Sequence, residues 1–298
     1  MSLFDRLVDQ ALQGQNELGP LRMVVEKELL HHDILREMSV AGLLAGLTFI
    51  GGTCLRICYG SDRLSEDLDF TAGRAFRREA LSDLGRCVVR GLQAKYGLAV
   101  EVSDPVREAG NVDTWRLKVI TRPERRDLPS QKINIDICAI PSYARRPMLL
   151  RNRYGVEMGT SSLIVQAQSR EEILADKVVA LALRPNRLKH RDLWDIAWLK
   201  QQNITLPLAL IPKKVADHRR EASEFVALLG ERVDRLSSIP ALREDFMAEM
   251  RRFLPPRLVT QTVNQPDFWS YLTELVRAEC EAVLRSLEGS TTSNGNRA

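Results

Sequence analysis

The chain has 298 residues, 44% of them hydrophobic, enough for a substantial core and for two domains of ordinary size. Forty-three basic against 39 acidic residues leave a net charge of +4, which permits nucleic-acid binding without requiring it. Five cysteines, Cys54, Cys58, Cys87, Cys138 and Cys280, lack C-x-x-C spacing and point away from a disulfide framework and a zinc site. No run reaches the ~18 to 20 apolar residues of a membrane span. The N-terminus shows no charged-then-apolar leader pattern, so a cytoplasmic protein without membrane contact is expected.

Leu3 to Leu12 has the spacing of a short amphipathic helix, followed by a polar break up to Pro20. From Leu21 onward Val24, Val25, Leu29, Leu30, Ile34 and Leu35 recur at helical spacing, predicting a helix that backs the site. His31 and His32 lie on it as neighbours, about 100° apart around the axis, so they cannot clamp one metal from a single face. Surface or boundary histidines are expected there.

Residues 49 to 70, FIGGTCLRICYGSDRLSEDLDF, join a glycine turn, a short helix and two alternating carboxylates. Gly51 and Gly52 allow a sharp turn with close backbone approach, and Thr53 opens a helix carrying Leu55, Arg56 and Tyr59. Free N–H groups at such a helix start attract anions, which makes the turn a plausible phosphate cradle. Asp67-Leu-Asp69-Phe70 reads as a strand whose period of two puts both aspartates on one face and Leu68 and Phe70 on the other. Two adjacent carboxylates repel, and a divalent cation with oxygen ligands, most often Mg²⁺ beside a polyphosphate, relieves the repulsion. The plainer reading is an acidic strand end in solvent. The Gly-Gly-Thr turn and the interleaved apolar residues favour the cation.

Residues 75 to 96 carry a second helical stripe (Phe76, Leu81, Leu84, Val88, Leu92) that Gly97 stops. Strand patterns follow at Leu98 to Val102, Thr114 to Ile120 and Lys132 to Ala139, with a turn at 127 to 130. The first half is therefore expected to be a mixed sheet with helices on one side. In the last strand Lys132, Asn134 and Asp136 share one face and Ile133, Ile135 and Ile137 the other. Paired beside Asp67 to Asp69, this strand supplies a third carboxylate; otherwise it is a half-exposed strand with outward polar residues. Four arginines and two tyrosines between Tyr143 and Tyr154 suit phosphate and base contacts, or form a solvated surface.

Ser169-Arg-Glu-Glu172 has capping-box spacing and opens a helix to about Arg184, with a domain boundary just before it. Lys177 sits at the edge of that helix's apolar stripe, as a snorkelling lysine would. A basic turn from Arg184 to Arg191 leads to a helix on which Asp192 and Asp195 share a face, either of them an ordinary helix-start acid. Pro207 to Leu287 reads as a helical bundle and 289–298 as a disordered tail. The expected domains are 1–168, with N-terminal helices, and 169–288.

The set Gly51-Gly52-Thr53, Arg63-Leu-Ser-Glu-Asp67-Leu-Asp69-Phe70, Lys132-Ile-Asn-Ile-Asp136, Asp176-Lys177 and Arg191-Asp192-Leu-Trp-Asp195 resembles the AbiEii/AbiGii toxin-type nucleotidyltransferases of the DNA polymerase β-like superfamily. The resemblance covers most of residues 20 to 200. It implies an α+β architecture, a mixed-sheet polymerase β-like domain followed by a helical domain. It also implies an NTP donor, two Mg²⁺ ions, and a toxin of a toxin–antitoxin or phage-defence pair with a cognate antitoxin. By the same resemblance Gly51, Gly52 and Thr53 hold the nucleotide phosphates, with Arg56 and Lys132 counted among the nucleotide-binding candidates. Asp67 and Asp69 hold metal, and the wider superfamily adds Asp136. Lys177 contacts the triphosphate, and Asp192 or Asp195 serves as a further catalytic carboxylate. Relatives that modify tRNA 3′ ends suggest an RNA acceptor. A protein or small hydroxylated acceptor, or an inactive binding module, is the alternative.

Overall fold

The computed structural model describes residues 2–105, 111–124, 129–185, 188–238 and 240–294. The chain divides into two compact units, Met1–Gln168 and Ser169–Ala298.

The first unit holds α1 (Leu3–Gln13), α2 (Arg22–Val40), β1 (Thr48–Ile50), α3 (Gly51–Ile57), β2 (Leu68–Thr71), α4 (Leu84–Tyr96), β3 (Ala99–Ser103), β4 (Val112–Ile120), β5 (Gln131–Cys138), β6 (Arg145–Leu149) and β7 (Ile164–Gln168). The strands form one seven-stranded sheet in the order β3-β4-β5-β2-β1-β7-β6. β2 runs parallel to β5 and β1 parallel to β7, while the remaining pairs are antiparallel, so the sheet is mixed as expected.

Alternation decides which face becomes core. Ile133, Ile135 and Ile137 of β5 are fully buried beside Trp115, Leu117 and Val119 of β4 and Leu68 and Phe70 of β2. Each such side chain contributes about 1.5–3 kcal/mol by leaving water. Phe49 of β1 stacks on Phe70 with ring centroids 5.1 Å apart. Helix α4 packs on β3 and on α2, and α2 packs on β5. Asn134 and Asp136, on the other face, stay half-buried.

Several boundaries differ from expectation. The stripe read over 75 to 96 becomes a 3-10 turn at Arg78–Leu81 and then α4, which Gly97 ends at φ +66°. The basic segment after Tyr143 contributes β6, an edge strand paired with β7. Of the turn at 127 to 130, residues 127 and 128 lie outside the described residues. Helix α2 is also more polar inside than its pattern suggested: Glu26, Glu28, His31, His32 and Asp33 are all buried. The two histidines are therefore core groups rather than surface or boundary ones. Each buried acid on α2 is answered: Glu26 by Arg22 and Arg122, Glu28 by Arg56, and Asp33 by Arg36, Lys95 and the Tyr96 hydroxyl.

The second unit is helical, as expected: α5 (Arg170–Leu183), α6 (His190–Gln201), α7 (Ile211–Asp217), α8 (Ala222–Ser238), α9 (Pro240–Arg251), α10 (Pro256–Gln261) and α11 (Phe268–Asn294). The Ser169 hydroxyl caps α5 by accepting the Glu172 N–H at 3.2 Å. α5 packs against α6, α7 and α8, and α11 against α8 and α6, around Phe225, Leu229, Phe246, Leu272 and Val276. Helical backbone runs to Asn294, into the segment read as a tail; residues 295–298 lie outside the described residues, as do 186 and 187 of the basic turn. No helix among the described residues is long and apolar enough to cross a membrane.

Candidate active site

Two strand registers build the acidic centre. Asp69 is opposite Ile50 on antiparallel β1 and opposite Asp136 on parallel β5. Residues opposite one another share a face, and adjacent strands lie about 4.8 Å apart, so the two carboxylates are side-by-side neighbours. The Thr114 hydroxyl of β4 donates to Asp136 Oδ1 at 2.6 Å, which orients that carboxylate. Asp136 thus pairs beside the D-x-D strand as its alternation allowed.

Gly51, directly after β1, closes the other side. Its φ is +75°, and a Cβ added there would lie 2.6 Å from Asp69 Oδ2. Both facts demand glycine: the left-handed backbone and the close approach of the carboxylate. At Gly52 a Cβ would collide with the guanidinium of buried Arg63. The glycine pair therefore lets two side chains of the 63 to 69 segment press against the start of α3.

Asp67 ends a loop clamped along its length. Asp67 Oδ1 accepts the Asn134 N–H of β5 at 3.1 Å. Thr53, fully buried, donates its hydroxyl to the Asp67 carbonyl and lies 2.7 Å from Ser65 Oγ. From α2, Glu28 accepts the Ser65 N–H at 2.9 Å, Lys27 pairs with the Glu66 carboxylate at 2.7 Å, and His31 Nε2 donates to the Glu66 carbonyl at 3.0 Å. Because a carbonyl only accepts, His31 carries its proton on Nε2. Burial lowers the His31 pKa, so the ring is neutral. Sequence reasoning missed Glu28, His31 and Thr114; an acid and a histidine on the core stripe of α2 were the available signal.

Two expected nucleotide contacts take other roles. Thr53 supports the Asp67 backbone instead of projecting to a phosphate. Arg56 is 4% exposed and pairs with Glu28 at 3.0 Å, while its Nη groups reach the Ser61 carbonyl at 2.9 Å and the Tyr154 hydroxyl at 3.4 Å. Burial alone would lower the Arg56 pKa, but the Glu28 charge raises it above the ordinary value. All three guanidinium nitrogens are thus engaged inside the protein, which makes Arg56 a brace for the loop before Asp67. Lys132 is exposed on the Asp136 face of β5. Four residues of strand put it about 13 Å from Asp136.

The Tyr143-to-Tyr154 segment is only partly an open basic patch. Arg145 and Arg146 are exposed, but Arg153 pairs with Asp62 at 2.8 Å and Tyr154 is buried against Glu28.

In the second unit Lys177 does not snorkel. Its Nζ lies 2.6 Å from Asp192 Oδ1 and 2.8 Å from Asp195 Oδ2, with Arg184 Nη1 3.1 Å from Asp192 Oδ2. Both aspartate side chains are 1% exposed. Burial alone would raise the Asp192 pKa, yet Lys177 and Arg184 hold it below the usual carboxylate range. The neighbouring Asp176 belongs to another buried cluster, on Lys214 together with Glu172.

The donor set suits Mg²⁺ with a bound polyphosphate. No group of three His, Cys, Asp or Glu among the described residues is already disposed to hold a metal ion. Mg²⁺ in nucleotide sites takes one or two carboxylates and completes its shell from substrate phosphates and water. Adjacent Asp69 and Asp136, with Asp67 two residues before Asp69, match that demand.

A family model described as nucleotidyl transferase AbiEii toxin, type IV TA system, matches residues 33–274. Among solved structures the chain is similar to MenT4, the nucleotidyltransferase toxin Rv2826c of Mycobacterium tuberculosis H37Rv, at 16% identity and a TM-score of 0.53, over 95% of this chain and 98% of that one. It is also similar to JHP933 from Helicobacter pylori at 15% identity and a TM-score of 0.46, over 92% and 97% of the two chains. No curated protein matches at a significant level.

Proposed function

Because this chain belongs to the AbiEii nucleotidyltransferase toxin family of type IV toxin–antitoxin systems, we propose that it transfers a nucleoside monophosphate from an NTP to an RNA acceptor, with the tRNA 3′ end as target. Nucleotidyltransferase activity and a cognate antitoxin come with the family; the RNA acceptor and Mg²⁺ are our reading. The observation that carries it is the register that sets Asp69 beside Asp136, with Gly51 closed over Asp69.

In this reading Asp67 and Asp69 would hold Mg²⁺, and Asp136 completes the acidic wall. Mg²⁺ bound there would supply charge neutralisation at the α-phosphate and at the departing pyrophosphate. The attacking hydroxyl gives its proton to a carboxylate of this cluster, and in-line attack forms the new P–O bond as the bond to pyrophosphate breaks, which leaves the monophosphate on the acceptor. Gly51 and Gly52 let Asp69 and Arg63 pack against the start of α3, which holds the Asp69 carboxylate in place. Within the second unit Asp192 and Asp195 hold the Lys177 ammonium group in place. The chain's own contribution is positioning, since the clamped 65 to 69 segment fixes its carboxylates before substrate arrives.

The test is incubation of purified protein with each α-labelled NTP, Mg²⁺, bulk tRNA and cell extract. Label is expected in RNA and absent with an Asp67→Asn, Asp69→Asn double variant. Label in protein but not RNA overturns the RNA acceptor, and equal labelling by the double variant overturns the site.

A further inference from the structure

The face of the sheet that carries Asp69 and Asp136 continues outward over β5, β4 and β3, and its charge changes sign on the way. Register pairs Thr114 with Asp136, Arg116 with Asn134 and Lys118 with Lys132. The rungs alternate with core rungs, so all three lie on the Asp136 face, as the Thr114 to Asp136 hydrogen bond confirms. Arg116 and Lys132 are exposed, and the Lys118 side chain is 45% exposed.

The Lys118–Lys132 rung is not one that fold stability favours. Like charges directly opposite one another on neighbouring strands are destabilising, and Lys118 faces Lys132 in that position. On β3, Glu101 lies opposite Lys118 and pairs with it at 3.1 Å, and Ser103 lies opposite Arg116. An exposed pair of this kind is worth at most about 1 kcal/mol. A local conflict in an otherwise consistent sheet marks a functional surface.

We infer that Arg116, Lys118 and Lys132 form a phosphate ladder that seats the single-stranded end of the RNA acceptor and leads its terminal hydroxyl to Asp136 and Asp69. This inference rests on the RNA-transfer reading above and adds the surface that reads the acceptor. The rungs repeat about every 7 Å along the strands, and the two strands are about 5 Å apart. The ladder ends on the carboxylate pair, so a strand lying along it presents its terminus to the reacting centre. Lys132 thereby moves from the nucleotide to the acceptor. The side chains contact backbone phosphate, so the ladder positions without reading sequence.

The test compares wild type with an Arg116→Ala, Lys118→Ala double variant and with Glu101→Lys. A fluorescent single-stranded RNA oligonucleotide is titrated by anisotropy across a salt series, NTP·Mg binding is followed by thermal shift, and RNA labelling is run in parallel. The double variant is expected to bind RNA at least tenfold more weakly. Its log K against log salt slope should be shallower by about 1.4, the value for two lost phosphate contacts on a single strand. Its NTP·Mg thermal shift is unchanged, and Glu101→Lys binds RNA more tightly. If wild type labels RNA while both variants keep its RNA affinity and salt slope, the ladder is overturned and the RNA-transfer reading stands. If wild type labels protein and neither binds nor labels RNA, the RNA-transfer reading falls and the ladder with it.

Discussion

Asp69 and Asp136 stand opposite each other on neighbouring parallel strands, a placement that a sheet tolerates only at some cost. Asp69→Asn should therefore divide activity from stability. Transfer falls at least ~10³-fold, as for loss of a group that neutralises transition-state charge. Unfolding free energy in urea, without metal or nucleotide, should hold or rise by up to ~1 kcal/mol, since one like-charge neighbour is gone. A loss of several kcal/mol would mean that the carboxylate is a structural group.

Gly51→Ala tests the other wall. The left-handed backbone costs a Cβ residue about 1–2 kcal/mol. The new methyl also meets Asp69 Oδ2 at 2.6 Å, so the carboxylate has to move. We expect a fall of about 2 kcal/mol in urea unfolding together with transfer below a tenth of wild type. Gly159→Ala, also at positive φ (+71°) but against Arg36, should lower stability and leave transfer unchanged.

Lys177→Ala leaves Asp192 and Asp195 buried side by side without their shared cation. Breaking a buried pair this way costs about 3–5 kcal/mol, so loss of activity in that variant reports on folding as well as on phosphate. Adding Asp195→Asn should recover much of the stability by removing one uncompensated charge. Transfer should stay absent if Lys177 meets the triphosphate. A folded double variant with wild-type rates would make the lysine purely structural.

His32 sets a pH window. Burial lowers its pKa to about 4, below the 6.5 of an exposed histidine, and Nδ1 lies 2.9 Å from Thr160 Oγ1. The unfolded chain then binds the extra proton first as pH falls. The stability contribution is whole above pH ~6.5 and disappears progressively toward pH ~4, amounting to about 3 kcal/mol. Buried His31 shifts in the same direction. The urea midpoint of wild type should drop between pH 7 and pH 5, and the drop should be shallower in His32→Gln.

The parts of the site legible in the sequence were those with strict alternation. Asp67-Leu-Asp69-Phe70 and Lys132 to Asp136 showed which face is core and which is polar, and the register confirmed a shared face for Asp69 and Asp136. Partnership was not legible. Arg56, Thr53, His31 and Lys177 are types that sequence reading sends to solvent or to ligands, and long-range contacts with Glu28, Ser65, Glu66 and Asp192 decide their roles. Strand β6 was missed because Arg145-Arg-Pro-Met-Leu149, an edge strand, has no buried face to impose a period of two.

β2 holds the middle place among seven strands, with three on either side. Fraying of a sheet begins at its outer strands, so Leu68 to Phe70 should show the slowest amide hydrogen exchange in this unit, near the limit set by global unfolding. The acidic centre then has no low-energy opened form. Heat or denaturant should abolish transfer in the same cooperative transition that unfolds the unit, without a partially opened, inactive species before it.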